Sequence, residues 1–329
     1  MNTLYPVKFK SIYKEKIWGG NKLNSLLSKP IPTDKKIGES WEISAVKDNI
    51  SVISNGELAE NTLQDIIEIY MGDIVGDKIY EKYGIEFPLL IKFIDASDIL
   101  SVQVHPDDKL AKKRHQAYGK TEMWYIIDAE KDSKIITGFN KEVNKTEYSD
   151  AVNNGKLKNL LNFENTKAGD SFFIPAGRIH AIGSGVVLAE IQQTSDITYR
   201  IYDWDRKDKN GKTRELHNNL ALDAIDYNFY GNKKDSIETE INKSQNIVSD
   251  SHFSTNIFEF DKVTEMDYFD KDSFVIYMCL DGDFDIHYSE NDKEMVNIKK
   301  GETVLIPAVF ENIILKPKEK SKILEIFID

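Results

Sequence analysis

Gly169-Asp170-Ser171-Phe172-Phe173-Ile174-Pro175-Ala176-Gly177-Arg178-Ile179-His180 reads as a turn, a short buried strand, a second glycine turn and one positioned imidazole. Gly169 and Asp170 carry turn chemistry, Phe172 to Ile174 form an apolar run of strand type, and Pro175 with Gly177 closes the strand. His180 then stands at the mouth of whatever that strand encloses. A rigid strand end holds a ligand more accurately than a loop does, as a catalytic metal ion requires. A single imidazole near apolar residues is more often a core or surface residue than a ligand, so its partners decide the reading.

Upstream, Leu100-Ser101-Val102-Gln103-Val104-His105-Pro106-Asp107 alternates strictly. Ser101, Gln103 and His105 share one strand face, while Leu100, Val102 and Val104 share the other. After a polar, helical excursion comes Gly119-Lys120-Thr121-Glu122-Met123-Trp124-Tyr125-Ile126-Ile127, a second strand that opens with Lys120 and Glu122 on a common face. Gln103, His105, Glu122 and His180 together offer two imidazoles, a carboxylate and an amide oxygen. Such a set suits a borderline divalent ion with open positions for water or substrate. Zinc leads, with manganese, iron and cobalt left open by ligand type alone. On spacing alone, Gln103, His105 and Glu122 would serve equally well as a hydrated polar strand face.

These residues resemble a known family. The Gly-x5-Pro-x-Gly-x2-His run resembles the second conserved motif of the cupin superfamily, and Gln103-Val104-His105-Pro106-Asp107 with Glu122 resembles the phosphomannose isomerase version of the first. Leu89-Leu90-Ile91-Lys92, Gly119-Lys120-Thr121-Glu122, Pro175 to Gly183, and Gln192-Gln193-Thr194-Ser195-Asp196-Ile197-Thr198-Tyr199-Arg200 follow the order of type I mannose-6-phosphate isomerases. The similarity is strong from Lys92 to Arg206 and moderate at Trp18-Gly19-Gly20 and Gly38-Glu39-Ser40-Trp41. It is slight in the last third. Tyr202-Asp203-Trp204-Asp205-Arg206 is similar to the short, Bacillus-like branch. The resemblance implies one Zn2+ held by Gln103, His105, Glu122 and His180. It also implies active-site cations at Arg200, Lys120 and Lys92, with Ser101, Lys120 and Arg200 touching substrate. The implied reaction is the reversible interconversion of mannose 6-phosphate and fructose 6-phosphate through a metal-stabilised enediol. Two other functions stand beside it: another metal-dependent cupin enzyme such as an iron-dependent dioxygenase, and a non-catalytic sugar-binding regulator.

Lys92 sits in Leu89-Leu90-Ile91-Lys92-Phe93-Ile94, where a lysine either snorkels outward or points into a pocket with a lowered pKa suited to proton transfer. Arg200 reads either as a strand-edge ion-pair partner or as a fork for phosphate or an enediolate. Which cation is the base and which holds phosphate is not decided by sequence. His115 reads as solvated and His217 as near the site mouth, while His252 and His287 read as structural or exposed. Asp203, Asp205 and Arg206 read as a charged turn.

The 329 residues allow two domains and a sizeable core, with 40% hydrophobic content. A net charge of -12 argues against nucleic acid or an anionic membrane as partner, so an anionic sugar phosphate must be caught by a local cationic cluster. The single cysteine, Cys279, permits no intrachain disulfide and points to a reducing, cytoplasmic setting. The N-terminal residues show neither a signal peptide's apolar core nor a membrane-spanning run. The oligomeric state is open, with monomer or weak dimer as the expectation.

Alternation at Gly38 to Ser44 predicts strand. Leu63, Ile66, Ile67 and Tyr70 predict helix within Leu58 to Tyr83, broken into two at Gly72 and Gly76. Further helices are expected at Lys109 to Ala117, Lys145 to Leu161 and Leu216 to Ile225. Polar Gly231 to Ser251 reads as a linker or exposed crossing. Beyond it, Gly301-Glu302-Thr303-Val304-Leu305-Ile306-Pro307 repeats the Gly-x5-Pro pattern without the histidine, and this implies internal duplication. The expected fold is all-β with helical insertions, as two cupin-like jelly-roll barrels. Residues 1-235 form the metal-binding domain and 236-329 a degenerate, metal-free one.

Overall fold

In the computed structural model, which describes residues 4–32, 34–207, 210–231, 234–289 and 294–329, the alternating apolar runs pair into four sheets. The largest has seven strands, in the order Lys234–Ser236, Asp170–Ile174, Glu122–Ala129, Val186–Gln193, Leu89–Ala96, Ile37–Ile43 and Ile12–Gly20. Facing it is a five-stranded sheet ordered Tyr199–Tyr202, Val102–Val104, His180–Ile182, Lys134–Phe139 and Leu161–Asn165. The period of two sorts the side chains. Trp124 and Ile126 point inward, where they pack with Trp18, Ile94, Phe172, Ile174 and Leu188, while their neighbours Met123 and Tyr125 point to the opposite side.

The later residues build a second pair of sheets. A six-stranded sheet runs Val7–Lys8, Thr303–Ile306, Val275–Asp281, Ser321–Phe327, Ser254–Phe260 and Gln245–Ser249, and a four-stranded one runs Thr264–Asp267, Asn312–Pro317, Asp283–His287 and Met295–Lys299. Phe258, Phe260, Tyr277 and Phe284 fill the space between them. A continuous apolar layer joins the two halves, with Met123, Tyr125 and Ile191 of the first meeting Ile276, Leu324 and Ile326 of the second. The Gly-x5-Pro repeat has a common geometry. Gly169 (φ 91°) and Gly301 (φ 81°) both turn through the left-handed region, one and two residues ahead of a strand.

Helices pack outside the sheets. Leu63–Tyr70 starts with a capping box in which the Thr62 hydroxyl accepts from the Asp65 N–H and the Asp65 carboxylate accepts from the Thr62 N–H. An eight-residue helix is marginal alone, but burying Leu63, Ile66 and Ile67 contributes about 1.5–3 kcal/mol each. The expected pair of helices here is in fact three, Leu63–Tyr70, Gly72–Val75 and Asp77–Tyr83, because Met71 (φ 47°) breaks the chain ahead of Gly72 and Gly76 (φ 96°) breaks it again. Asp108–His115 and Asn218–Ala224 lie where helices were expected. The segment expected from Lys145 to Leu161 divides into Lys145–Asn153 and a 3-10 turn at Leu157–Leu160, with Gly155 at φ 66° between them.

The polar stretch Gly231 to Ser251 is more than a linker. Lys234–Ser236 pairs with Asp170–Ile174, and Gln245–Ser249 pairs with Ser254–Phe260, each at the edge of its sheet. An edge strand needs only backbone partners on one side and tolerates polar side chains, so composition concealed it. Asn232 and Lys233 of that stretch lie outside the described residues.

Candidate metal centre and cavity

Strand register assembles the site from two facing rows. Across the seven-stranded sheet, Trp41 pairs with Lys92, Lys92 with Glu190, and Glu190 with Trp124. One step along, Gln192 pairs with Glu122. Across the five-stranded sheet, Arg200 pairs with Gln103 and Gln103 with His180. The alternation read from sequence therefore does place Gln103, His105, Glu122 and His180 in one interior.

His105, Glu122 and His180 are buried, and one ligand atom from each lies within 4.8 Å of the others. His180 Nε2 is 3.3 Å from Glu122 Oε1, and His105 Nε2 is 3.7 Å from Glu122 Oε2. Each imidazole has its other nitrogen fixed by a backbone carbonyl, His105 Nδ1 by Ile197 at 2.9 Å and His180 Nδ1 by Arg178 at 2.8 Å. With Nδ1 donating to those carbonyls, both Nε2 lone pairs are aimed at Glu122. Burial, then Lys120, pushes His105 well below the usual imidazole range and His180 down to about 3, so both are neutral at physiological pH. Burial raises Glu122, against the pull of Lys120. Glu122 Oε1 has no hydrogen-bond partner among the described residues. Two imidazole Nε2 lone pairs and the buried Glu122 carboxyl group face one another, a cage-like cluster of acceptors that a cation satisfies. The Lys120 ammonium already lies against Glu122 and 3.1 Å from His105 Nε2, so the cage draws positive charge. Gln103 lies 3.2 Å from His180 Nε2 through its amide nitrogen, an orientation that hydrogen-bond partners assign. The donor set thus fits a divalent metal ion.

Beside the cage opens a cavity of about 250 Å³. Lys16, Glu39 and Trp41 form one wall, Lys92, Lys120 and Glu190 the floor, and Ser101, Arg200 and Arg214 the opposite side. Lys92 is buried, and its ammonium donates to Glu190 at 2.8 Å and Gln192 at 2.7 Å. Of the two readings open to Lys92, it takes the pocket, but without a lowered pKa. Burial does pull it down, but Glu190 and Glu39 outweigh that and the net shift is upward, leaving a fixed ammonium. Glu190 is correspondingly held below the carboxylate range by Lys92 and Lys120 despite its burial, and it also accepts from Trp124 Nε1 at 2.9 Å.

Arg200 donates to the Glu215 carbonyl at 3.0 Å, while its buried Nε has no partner among the described residues. Burial and the neighbouring Arg214 lower its pKa. Asp203 is gripped by Arg206 and Arg214 and meets the cavity only through Arg214. His217 accepts from the Arg200 backbone N–H at 3.1 Å. His115 is exposed and pairs with the Tyr199 hydroxyl at 2.8 Å, and His252 pairs with Asp250 and Asp108. Glu190, Glu39, Lys16 and Arg214 were not singled out from sequence. Glu190 carried a signal, a lone carboxylate within the apolar run Val186 to Ile191.

Known proteins bear on this arrangement. The family model described as phosphomannose isomerase type I, catalytic domain, matches residues 7–131. The mannose-6-phosphate isomerase ManA of Bacillus subtilis is 42% identical over 228 residues, covering 68% of this chain and 69% of that protein. The chain belongs to the type I phosphomannose isomerase family. The mannose-6-phosphate isomerase of Streptococcus mutans is 40% identical over 220 residues, 67% of each chain. The crystal structure of the Bacillus subtilis mannose 6-phosphate isomerase superposes with a TM-score of 0.85 at 31% identity, over 98% of this chain and 99% of that one. The all-β, cupin-like fold with helical insertions is therefore that of the type I phosphomannose isomerases. No helix among the described residues is long and apolar enough to cross a membrane.

Proposed function

We propose that this chain interconverts mannose 6-phosphate and fructose 6-phosphate, with one zinc ion held by His105, Glu122, His180 and Gln103. The observation that carries the reading is the buried cage of acceptors at the edge of a cavity lined by Lys92, Lys120 and Arg200. Two neutral imidazoles with a carboxylate match zinc's preference for nitrogen and oxygen ligands. When bound, the ion supplies Lewis-acid stabilisation of charge on the sugar oxygens.

Aldose-ketose isomerisation moves one proton between C1 and C2 and one between O1 and O2, through an enediol. Negative charge develops on the two oxygens as the carbon proton leaves. Lys92, kept charged by Glu190 and Glu39, offers a buried ammonium that offsets this charge. Glu190 is an ionised carboxylate on the cavity floor, fixed by Lys92 and Trp124, and is placed to carry the proton between C1 and C2. Arg200 and Arg214 face the cavity on the far side and suit the phosphate, with Ser101 beside them. Lys120 balances Glu122 and reaches toward the substrate oxygens.

We further read residues 1-235 as the catalytic unit and 236-329 as its supporting partner, acting in the cytoplasm. The sheet membership supports this, since the six- and four-stranded sheets draw on later residues apart from Val7–Lys8. The buried thiol of Cys279, its pKa pushed up by burial, fits a reducing compartment. Family membership favours isomerisation over oxygen chemistry or bare sugar binding.

The test is turnover of mannose 6-phosphate by the purified chain, before and after chelation and after adding zinc back. Loss on chelation and recovery with zinc is the expected result. Undiminished activity in metal-free protein would overturn it.

A further inference from the structure

The strand Glu122–Ala129 has two faces, and the one turned away from the metal cage looks into a second opening. A cleft of about 330 Å³ lies there between the seven-stranded and six-stranded sheets. Tyr125 and Ile127 contribute from the first half of the chain, while Glu259, Lys300, Lys320 and Lys322 contribute from the second.

The polar groups of this cleft are unevenly used. Glu259, buried, accepts from Lys320 at 2.8 Å, Lys322 at 2.7 Å and Thr239 at 2.7 Å, so most of its acceptor capacity is used. Lys300 pairs with Asp281 at 3.1 Å. Each ammonium has three donors and one carboxylate partner among the described residues, and the side chains of Lys300, Lys320 and Lys322 are 35%, 57% and 29% exposed, so their remaining N–H groups are open to solvent and to a ligand entering the cleft. Tyr125 is only 6% exposed, and it lines the cleft. Burial, with Glu259 and Asp170, pushes that phenol up to about 12, so it remains a donor at any physiological pH. What the cleft has to spare is therefore donors, carried on a surplus of ammonium over carboxylate groups within a chain of net charge -12.

We propose that this cleft is a second binding site, for a small phosphate-bearing metabolite whose oxyanion is held by Lys300, Lys320, Lys322 and the Tyr125 hydroxyl. Donors that arrive from two different sheets suit a tetrahedral group with several terminal oxygens. A planar carboxylate is better met by a single guanidinium fork. The ligand would tie the two halves together directly behind the strand that holds Glu122, three residues from Tyr125.

The experiment is calorimetric titration of the metal-loaded enzyme with inorganic phosphate and, separately, with glycerol 3-phosphate. Two classes of site are expected for at least one probe, one of them in the catalytic cavity. Binding of glycerol 3-phosphate alone to the second class would identify an ester as the occupant, and binding of inorganic phosphate alone would identify the free ion. Lys322→Gln and Tyr125→Phe should each weaken the second class at least fivefold and leave KM for mannose 6-phosphate unchanged, whereas Arg200→Ala should weaken only the first. Tyr125→Phe keeps the aromatic packing and removes only the hydroxyl, so it separates lost binding from lost folding. A single class of site with both probes, or cleft variants that bind as the parent does, would overturn the proposal. The readout is binding, so its failure leaves the isomerase reading untouched.

Discussion

Replacing Lys92 with Met removes one half of a buried ion pair while keeping most of the side-chain volume. Lys92 and Glu190 are 9% and 5% exposed at their side chains, so solvent cannot take over the lost interaction. Breaking such a pair from one side costs about 3–5 kcal/mol, because the remaining charge is stranded. With an unfolding entropy of about 2.1 cal/mol/K per residue over this chain, that corresponds to a fall in Tm of about 4–7 °C. The pH dependence has a definite sign. In the parent, Lys92 leads the groups that hold Glu190 below its ordinary value, so the ionised form contributes stability at neutral pH that is lost only as strong acid protonates it. Without Lys92, only Lys120 and the Trp124 N–H oppose burial, and the native Glu190 is expected to rise above its unfolded value. The native variant then binds protons more readily than the unfolded chain, and its deficit shrinks as pH falls. Thermal unfolding at pH 8 and pH 5, at equal metal content, measures this, and Lys92→Met/Glu190→Gln should recover much of the loss. An equal deficit at both pH values, with no recovery in the double variant, would refute the stranded-charge argument.

Glu122→Gln and His180→Ala should lower bound metal, measured by elemental analysis, and turnover together, since each removes one side of the cage. Arg200→Ala should keep its metal yet lose turnover, because its guanidinium lines the cavity without joining the cage; loss of metal in that variant would count against the assignment. Gly169→Ala should cost about 1–2 kcal/mol from the left-handed backbone alone, as nothing lies within 4 Å of an added Cβ. Gly301→Ala should cost more by denaturant unfolding, for there the Cβ would strike the Leu27 carbonyl.

Legibility in the sequence followed the range of the physics involved. Ser101, Gln103 and His105 could be assigned a common face because strand alternation is local, and Glu122 joined them by the same rule on its own strand. Glu190 escaped notice because its importance comes from register. Only the pairing with Lys92 on one side and Trp124 on the other shows that a carboxylate in an apolar strand has partners. The charge state of Lys92 is not legible in the sequence for the same reason, its determinants lying 98 and 53 positions away in Glu190 and Glu39. The edge strands Lys234–Ser236 and Gln245–Ser249 were hidden by composition, since backbone pairing leaves no apolar trace when one side faces water.

The repeated Gly-x5-Pro pattern shows how one backbone device can serve two ends. At Gly169 the turn is roomy, and the strand it launches leads through Pro175 and Gly177 to His180, with the Gly177 N–H bonded to the His105 carbonyl at 2.9 Å. That bond ties the loop bearing one imidazole to the backbone of the other. At Gly301 the turn is pressed against Leu27 from the first half of the chain, and the strand it launches pairs with Val7–Lys8. The first copy thus fixes two ligands relative to each other, whereas the second fixes the two halves relative to each other. Glu122 sits on a strand whose outer face belongs to the shared apolar layer, so the stiffness of that joint is transmitted to the cage through Met123 and Tyr125. Acceptors gathered this closely keep their geometry without an ion only if the surrounding sheets resist their spreading; Lys120 offsets part of the repulsion, and this shared layer supplies the resistance.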